Sequence, residues 1–438
     1  MRNFKLTLIG LLALLIAGLI PQVGQTLTLK ECEIAALSHS NRLASNAALA
    51  QQSKAELSEA EGMKFGSVDL TGTYGYTSET MKINFAIPGT PISRNISFGD
   101  GNNYDLAATA KLPLYAGGAV KARIESVRAS QEAAVVQLTL DSIAVLYETR
   151  IAFYSVLGAE EKLKAAKIAA DRIDRHIIEL DSSLKFGVGT IEARWQAVGR
   201  QNQARVAVIS AEGELRSARL QLGRVIGEPE KANSTEGSLD DQLIDPADRD
   251  TEHHNRPDVR ALELRIEQSH YIETGAQAAW LPSLSAMAAY HYAKPGVSAA
   301  ENEWMDYGVI GLNAAWTIID WGARPARIQK AAAMTRSLES RLNELKTANS
   351  TMISMADSKW ETARNALDPM HNQVEVETTR KSLIEQRLKL GAATESEYLD
   401  VLDDLSIAES NHALAKLKCR LAEAEFLFAR AANPTQNQ

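Results

Sequence analysis

The chain has 438 residues, a net charge of −8 at pH 7 and an aromatic content of 6%. An acidic chain without a basic stripe argues against nucleic acid as its main partner, and a low aromatic content is typical of long helices. The two cysteines, Cys32 and Cys419, stand far apart and form no metal-binding or redox spacing. We expect both to be small buried residues. A disulfide between them is the alternative, if their helices meet.

Residues 1–25 have the features of a secretory signal peptide. Arg2 and Lys5 form a basic start, and residues 6–20 form an apolar core that is too short to span a membrane as a helix. An N-terminal anchor that stays attached is the alternative. Cys32 lacks the small preceding residue of a lipid-modified cysteine, so no lipid anchor is expected. The sequence therefore predicts an exported chain.

The rest of the chain contains an internal duplication. Four pairs of residues or short motifs share one offset: Gly118 with Gly322, Arg123-Ile124 with Arg327-Ile328, Gly187 with Gly391, and Thr190 with Thr394. A duplication takes precedence over the two or three separate domains that the length alone suggests.

The first repeat is predicted to span residues 26–227. Its order is a helix over about 27–61, a strand, a loop rich in Gly, Pro and Asn, a second strand, a very long helix and a return helix. We expect the strands at about 65–77 and 103–115, the long helix at about 118–186 and the return helix at about 191–226. A polar connector, 228–254, follows.

The second repeat is predicted to span residues 255–432 and to repeat this order. We expect strands at about 281–293 and 305–319, a long helix at about 322–390 and a return helix at about 395–431, before a short tail at 433–438. Pro369 lies inside the long helical segment, where a proline kinks or breaks a helix.

A helix of about 70 residues extends on the order of 100 Å at about 1.5 Å per residue, far beyond an ordinary globular helix. The first long helix carries charges throughout, among them Glu132, Asp141 and Arg150, which exclude a membrane-spanning helix. These lengths and charges indicate coiled coils, one in each repeat.

The four strands indicate a shared membrane pore. Each has the 11 or so residues needed to cross a bilayer at a tilt. Aromatic residues lie near the strand ends, as in outer-membrane barrels, and we place them on the outward faces: Tyr74, Tyr76, Tyr104, Tyr290, Tyr292, Trp304, Tyr307 and Trp316. A four-stranded sheet cannot stay open in lipid and is too small to close, so identical chains must complete it. A soluble repeat protein with two hairpins packed on helices is the alternative.

Six short motifs resemble those of the TolC-like outer-membrane efflux proteins. They are the opening Leu27-Thr-Leu-Lys-Glu-Cys, the strand-to-helix junctions Leu112-Pro-Leu-Tyr-Ala-Gly-Gly and Trp316-Thr-Ile-Ile-Asp-Trp-Gly, the second-repeat start Asn255-Arg-Pro-Asp-Val with Trp280-Leu-Pro-Ser-Leu, and the hairpin tips Lys185-Phe-Gly-Val-Gly-Thr and Lys389-Leu-Gly-Ala-Ala-Thr. The likeness covers nearly the whole mature chain.

This resemblance implies a fold class that is mainly α with membrane β, in two tandem repeats of helix, β-hairpin, very long helix and helix. It implies a homotrimer with a 12-stranded β-barrel continued by a periplasmic α-helical coiled-coil barrel. It also implies an exit duct of tripartite efflux or type I secretion in the outer membrane of a Gram-negative bacterium. A periplasmic adaptor, and through it an inner-membrane transporter of RND, ABC or MFS type, are the implied partners. A soluble periplasmic coiled-coil scaffold or an adaptor protein is the alternative function.

The two helix-hairpin tips are the first candidate site. The glycines there suit a chain reversal, and the resemblance implies that the tips dock onto the adaptor. The candidate docking residues are Phe186, Gly187, Val188, Gly189, Leu390, Gly391 and Ala392.

An acidic segment after the second tip is the second candidate site. Glu397 and Asp400 occupy positions where family members line a periplasmic constriction with aspartates; Asp404, and Glu192 in the first repeat, extend the set. Repeated around a three-fold axis they give acidic rings that attract cations, whereas helix-dipole compensation alone explains only the first-turn acids. The tyrosine and arginine of some family gates are replaced by Leu388 and Ala393, so any closed gate is expected to use apolar contacts such as Leu388 and Leu390, or other partners.

We expect no enzyme and no cofactor. His253-His254 stands in a polar connector without cysteines, and Gly187-Val-Gly lacks the Gly-Lys-Ser/Thr of a phosphate-binding loop.

Overall fold

The computed structural model describes residues 27–86, 89, 93–98, 100–230, 232, 235–241, 243, 256–297 and 301–431. The predicted signal peptide, the His253-His254 pair and the tail at 433–438 lie outside these residues. No helix among the described residues has an apolar stretch long enough to cross a membrane.

Eight α-helices and six β-strands make up the described chain. The helices are α1 (Leu29–His39), α2 (Asn41–Gly62), α3 (Ala119–Lys185), α4 (Ile191–Ile226), α5 (Pro257–Gln277), α6 (Ala323–Asn365), α7 (Leu367–Lys389) and α8 (Glu395–Ala429). The strands are β1 (Ser67–Tyr76), β2 (Met81–Ala86), β3 (Ser93–Phe98), β4 (Asn102–Tyr115), β5 (Ser283–Lys294) and β6 (Met305–Ala315). The predicted fold class of two repeats, each with helices around a pair of strands, is confirmed.

The chain divides into two compact units. The strand-bearing unit comprises Asn46–Leu138 and Pro257–Lys346, and the helical unit comprises the described residues within 27–45, 139–256 and 347–431.

The main sheet of the strand-bearing unit has four antiparallel strands in the order β1-β4-β5-β6. The pairing register keeps even-numbered residues opposite one another; Leu70, for example, lies opposite Ala108, which lies opposite Tyr290, itself opposite Gly308. Because side chains alternate between faces along a strand, all even-numbered positions share one face. The repeats therefore join through β4 and β5, and β1 and β6 form the two edges.

The two faces of this sheet differ in chemistry. The even-numbered face carries apolar and aromatic side chains: Val68, Leu70, Tyr74, Tyr76, Leu106, Leu112, Tyr290, Tyr292, Ile310 and Leu312. The odd-numbered face carries polar ones: Asp69, Thr71, Thr73, Asp105, Thr109, Lys111, Ser285, His291 and Asn313. An alternation of apolar and polar residues along 10- to 14-residue strands is the pattern of a membrane barrel wall.

Aromatic side chains cluster at the end of the sheet distant from the helices. Tyr104 contacts Tyr74 (ring centroids 5.0 Å) and Trp304 (5.6 Å), and Trp304 stacks on Tyr292 (4.9 Å). The expected position of Tyr307 on the outward face is wrong. Its odd number places it on the polar face, where it stacks on His291 at 4.8 Å.

Several predicted boundaries differ from the structure for local reasons. The helix expected over 27–61 is interrupted at Ser40, whose side chain accepts from the amide of Leu43 (3.3 Å) and so starts a second helix. The loop expected between the first two strands contains the β2–β3 hairpin, because Met81, Ile83 and Phe85 alternate with polar residues within a Gly- and Pro-rich stretch. The last strand ends at Ala315, short of the expected residue 319.

The second long helical segment breaks as Pro369 requires. A proline ring clashes with the carbonyl four residues earlier, which here belongs to Asn365. Helix α6 ends at Asn365 and α7 begins at Leu367, so the predicted kink or break is confirmed.

The helical unit is held by apolar clusters between helices. Trp360 of α6 is 1% exposed and packs against Phe426 of α8 at 5.0 Å between ring centroids. The connector also packs onto α8, where the buried Arg420 donates to the carbonyl of Leu239 (3.2 Å) and pairs with Glu423 (2.8 Å). Cys32 and Cys419 are both buried free thiols, so no disulfide joins them.

Replacing Trp360 by alanine should destabilise the helical unit by about 3–5 kcal/mol, because a fully buried aromatic side chain leaves a cavity. A lowered thermal unfolding midpoint in detergent measures this loss. Met355 on the same helix is largely exposed. Met355→Ala is therefore the matched control, and an equal loss in both variants would contradict the packing described here.

Candidate functional site: the helix-hairpin tips and the acidic segment

The first helix hairpin reverses direction within residues 186–190. The amide of Val188 donates to the carbonyl of Ser183 (3.0 Å), which closes the last turn of α3. Gly187 has φ +73°, the left-handed value that this type of helix ending requires. Thr190 then caps α4 by accepting from an amide of its first turn (3.2 Å).

The second hairpin reverses with the same bonds. The amide of Ala392 donates to the carbonyl of Arg387 (2.8 Å), and Gly391 has φ +68°. Thr394 caps α8 by accepting from the amide of Glu397 (3.2 Å), whose carboxylate accepts in return from the amide of Thr394 (2.8 Å). This reciprocal capping box gives Glu397 a structural task at the start of α8.

Both tips have apolar side chains that are exposed to solvent. Phe186 is 81% exposed, Val188 83% and Leu390 83%. Exposed apolar groups clustered on a turn are more typical of a contact surface than of a plain reversal. The structure thus places these predicted docking residues at the apex of each turn.

A cavity of about 470 Å³ lies between the two tips, lined by residues of both hairpins. His176 of α3, 4% exposed, lies on its wall with Nε2 at 2.9 Å from an oxygen of Glu395 of α8. Tyr398 packs its ring at 4.8 Å from the imidazole, and burial raises the pKa of this tyrosine to about 12. This His176–Glu395 contact links the two hairpins just above their tips.

The two residues expected to form an apolar gate lie in different surroundings. Leu388 packs against the buried cluster of Ile173, Leu180 and Leu402 in the interior of the helical unit. Leu390 is exposed at the apex. The structure does not bring their side chains into one apolar ring within the protomer, so the gate stays a prediction.

The acidic segment is paired with arginines. Arg200 of α4 contacts Asp400 (3.0 Å) and Asp403 (2.6 Å) of α8. Burial raises the pKa of the Asp403 carboxyl, and the positive charge of Arg200 opposes that rise. The two aspartates thus share one positive charge, which makes the segment less acidic than its sequence indicates.

A second arginine pairs with Asp404. Arg380 of α7 contacts Asp404 at 2.7 Å and Glu377 at 3.3 Å. Glu192 lies exposed in the first turn of α4. Four expected acids therefore separate into one helix cap, two paired aspartates and one exposed glutamate.

The sequence pattern does not point to His176, Arg200 or Arg380 as site residues. His176 and Arg200 precede the acidic segment by about 200 residues, so no local spacing connects them. The duplication is the sequence feature that indicates the Arg200 pairing. It makes α4 and α8 equivalent return helices, whose facing charges should pair. Among the described residues, no group of three or more His, Cys, Asp or Glu side chains is arranged to hold a metal ion.

The sequence profile of the outer membrane efflux protein family matches residues 35–228 and 250–429. The chain belongs to this family. It lies in the outer membrane of a Gram-negative bacterium, extends into the periplasm and serves as an exit duct of an efflux system. Channels of this family are homotrimers that work with periplasmic adaptors and inner-membrane transporters, and they are not enzymes.

Solved structures share the fold at low sequence identity. The outer-membrane channel OprN is 19% identical with a TM-score of 0.77, over 92% of this chain and 90% of its own. CusC is 15% identical with a TM-score of 0.80, over 92% and 91%. VceC of Vibrio cholerae is 14% identical with a TM-score of 0.76, over 92% and 96%. No curated protein sequence matches this one.

Gly187→Ala and Gly391→Ala should each destabilise their tip by about 1–2 kcal/mol, because a Cβ at positive φ is strained. Amide hydrogen exchange localised to the tips measures the effect as faster exchange. Gly199 lies inside α4 with open space around it. Gly199→Ala is the control and should stabilise its helix by about 0.5–1 kcal/mol. Unchanged exchange at both tips would rule out the strained turn.

Proposed function

We propose that three copies of this chain close a 12-stranded β-barrel, continued by a periplasmic helical barrel whose tips dock onto an adaptor. The observation that carries this proposal is the four-stranded sheet, which has one apolar face and two open edges. In lipid each unpaired edge amide and carbonyl costs several kcal/mol, so the edges need partners from other chains.

The strand directions suit closure by identical chains. Strand β1 leads away from α2, whereas β6 leads toward α6, so the two edges run in opposite directions. When β6 of one copy lies beside β1 of the next, the new pair is antiparallel like the other three. A repeated head-to-tail interface gives a ring when its rotation closes, and a β-barrel is such a ring.

The helical unit carries exposed apolar side chains at helical spacings. On α4 the exposed side chains Trp195 and Val206, and likewise Ile209 and Leu220, are eleven residues apart, which is about three turns. On α7 the exposed Val376 and Leu383 are seven residues apart, which is about two turns. Stripes of this type support helix packing between copies.

The tips and the charged segment support the remaining roles. The apolar apex residues Phe186, Val188 and Leu390 fit an adaptor end that offers apolar turns. The segment with Asp400 and Asp403 would form the charged constriction, in which Arg200 lowers the net negative charge of each copy. Through the adaptor the duct would serve an inner-membrane transporter.

The double variant Phe186→Glu/Leu390→Glu should abolish copurification of the adaptor and raise drug sensitivity to that of a deletion strain. Two charges at the apex cannot be desolvated in an apolar contact. Val297, exposed in the β5–β6 loop, supplies the control substitution Val297→Glu, which should leave both readouts unchanged. Retained adaptor binding by a correctly assembled double variant would refute tip docking.

Arg200→Ala should make the purified channel more cation-selective in planar bilayers, because Asp400 and Asp403 lose their counter-charge in every copy. The reversal potential in a salt gradient measures selectivity. Arg205→Ala removes the same charge from an exposed position on α4 and should shift the potential less. Equal shifts in the two variants would argue against a constriction at the acidic segment.

A further inference from the structure

The two strand-to-helix junctions, residues 112–118 and 316–322, share only their last residue, a glycine. In the first repeat β4 leads to α3 through Gly117 and Gly118, with φ of +61° and +90°. In the second repeat the equivalent residues are Trp321 and Gly322, with φ of +55° and +90°. The backbone therefore turns in the same way, but the second turn places a tryptophan where the first uses glycine.

Trp321 is an unusual residue for this conformation. A bulky side chain at positive φ is strained, and such strain persists where function requires the side chain. Its side chain is 95% exposed, so packing within the protomer does not compensate. Ile318 and Ile319 in the same turn are 72% and 69% exposed. An exposed apolar turn held at a backbone cost indicates an external partner.

A buried arginine fixes this turn. Arg324 donates from its backbone amide (2.8 Å) and from Nε (3.0 Å) to Asp320, and from Nη2 to the carbonyl of Ile318 (2.9 Å). Its guanidinium lies 4.3 Å from the ring centre of Trp280, whose carbonyl accepts from Nε1 of Trp316 (3.1 Å). These bonds within the protomer therefore fix the turn before any partner binds, with its apolar side chains directed away from the protein.

The position of the turn identifies the partner. Ile310 and Leu312 lie on the apolar face of the sheet, and Trp316 follows them at the same even-numbered spacing. The aromatic cluster around Trp304 marks the opposite end of that face. Residues 316–321 thus continue the apolar face of the sheet at the end where the helices begin, which is the periplasmic side.

We propose that residues 316–321 form a lipid-inserting turn, which places Ile318, Ile319 and Trp321 among the phospholipids of the periplasmic leaflet. Tryptophan favours this interfacial depth because its ring is apolar and its N–H reaches the headgroups. The equivalent turn of the first repeat exposes Leu114 (50%) and Tyr115 (48%) but has Gly117 in place of Trp321, so each copy carries one such tryptophan. The inference rests on the barrel proposed above, because the sheet must enter the bilayer.

The test uses tryptophan fluorescence of the full-length protein in phosphatidylcholine vesicles whose acyl chains carry bromine near the headgroups. Trp321→Phe should remove a component of the emission that the brominated lipid quenches. Trp304→Phe should remove another, because Trp304 lies in the aromatic cluster of the sheet. Trp195→Phe, in the helical unit, should leave the quenched fraction unchanged.

The outcomes separate the two proposals. If Trp304→Phe lowers the quenching and Trp321→Phe does not, the sheet enters lipid and the anchor proposal is overturned. If neither variant changes the quenching, the membrane barrel fails as well. Trp321→Gly supplies a second measurement, because glycine relieves the backbone strain. Its trimer in detergent should persist as that of the wild type does; loss of the trimer would show that Trp321 packs against a neighbouring copy instead.

Discussion

The open edges of the four-stranded sheet constrain the rest of this protein. The apolar face of this sheet is exposed, as at Val68 and Ile310, and so needs an apolar surrounding, yet lipid offers no hydrogen-bond partner to an exposed strand edge. Strands β1 and β6 carry such edges, and they run in opposite directions. Because closing the sheet into a barrel needs further strands of the same length and with the same apolar face, the simplest source is another copy of the chain. The helices attached to the barrel are then repeated by the same rotational symmetry.

The duplication supplies the second constraint. Each repeat attaches its strands to helices and ends its long helical segment in a glycine turn with a threonine cap. Equivalent turns at Gly187 and Gly391 give each protomer two apolar tips of nearly the same geometry. Variation between the repeats is therefore informative. The second repeat has Trp321 at the junction with the sheet where the first has Gly117, and the acid-rich start of α8 faces Arg200 on its counterpart α4.

The sequence was sufficient for the repeat order, the strands, the tips and the break near Pro369, because these depend on local patterns of period, glycine and proline. It was not sufficient for features that depend on distant contacts. The pairing of Asp400 with Arg200, and of His176 with Glu395, joins residues about 200 positions apart. The β2–β3 hairpin was missed because glycine and proline around it outweighed a short alternation. The face of Tyr307 does not follow from the sequence because β6 has apolar residues at odd positions (Tyr307, Val309) as well as at even ones (Ile310, Leu312).

Native mass spectrometry of the protein released from detergent micelles tests the shared barrel most directly. The account predicts one dominant species of three chains, whose β1 and β6 amides are protected from hydrogen exchange as strongly as those of β4 and β5. A stable single chain with the same protection at both edges would show that the sheet completes itself without other copies, and would contradict the account.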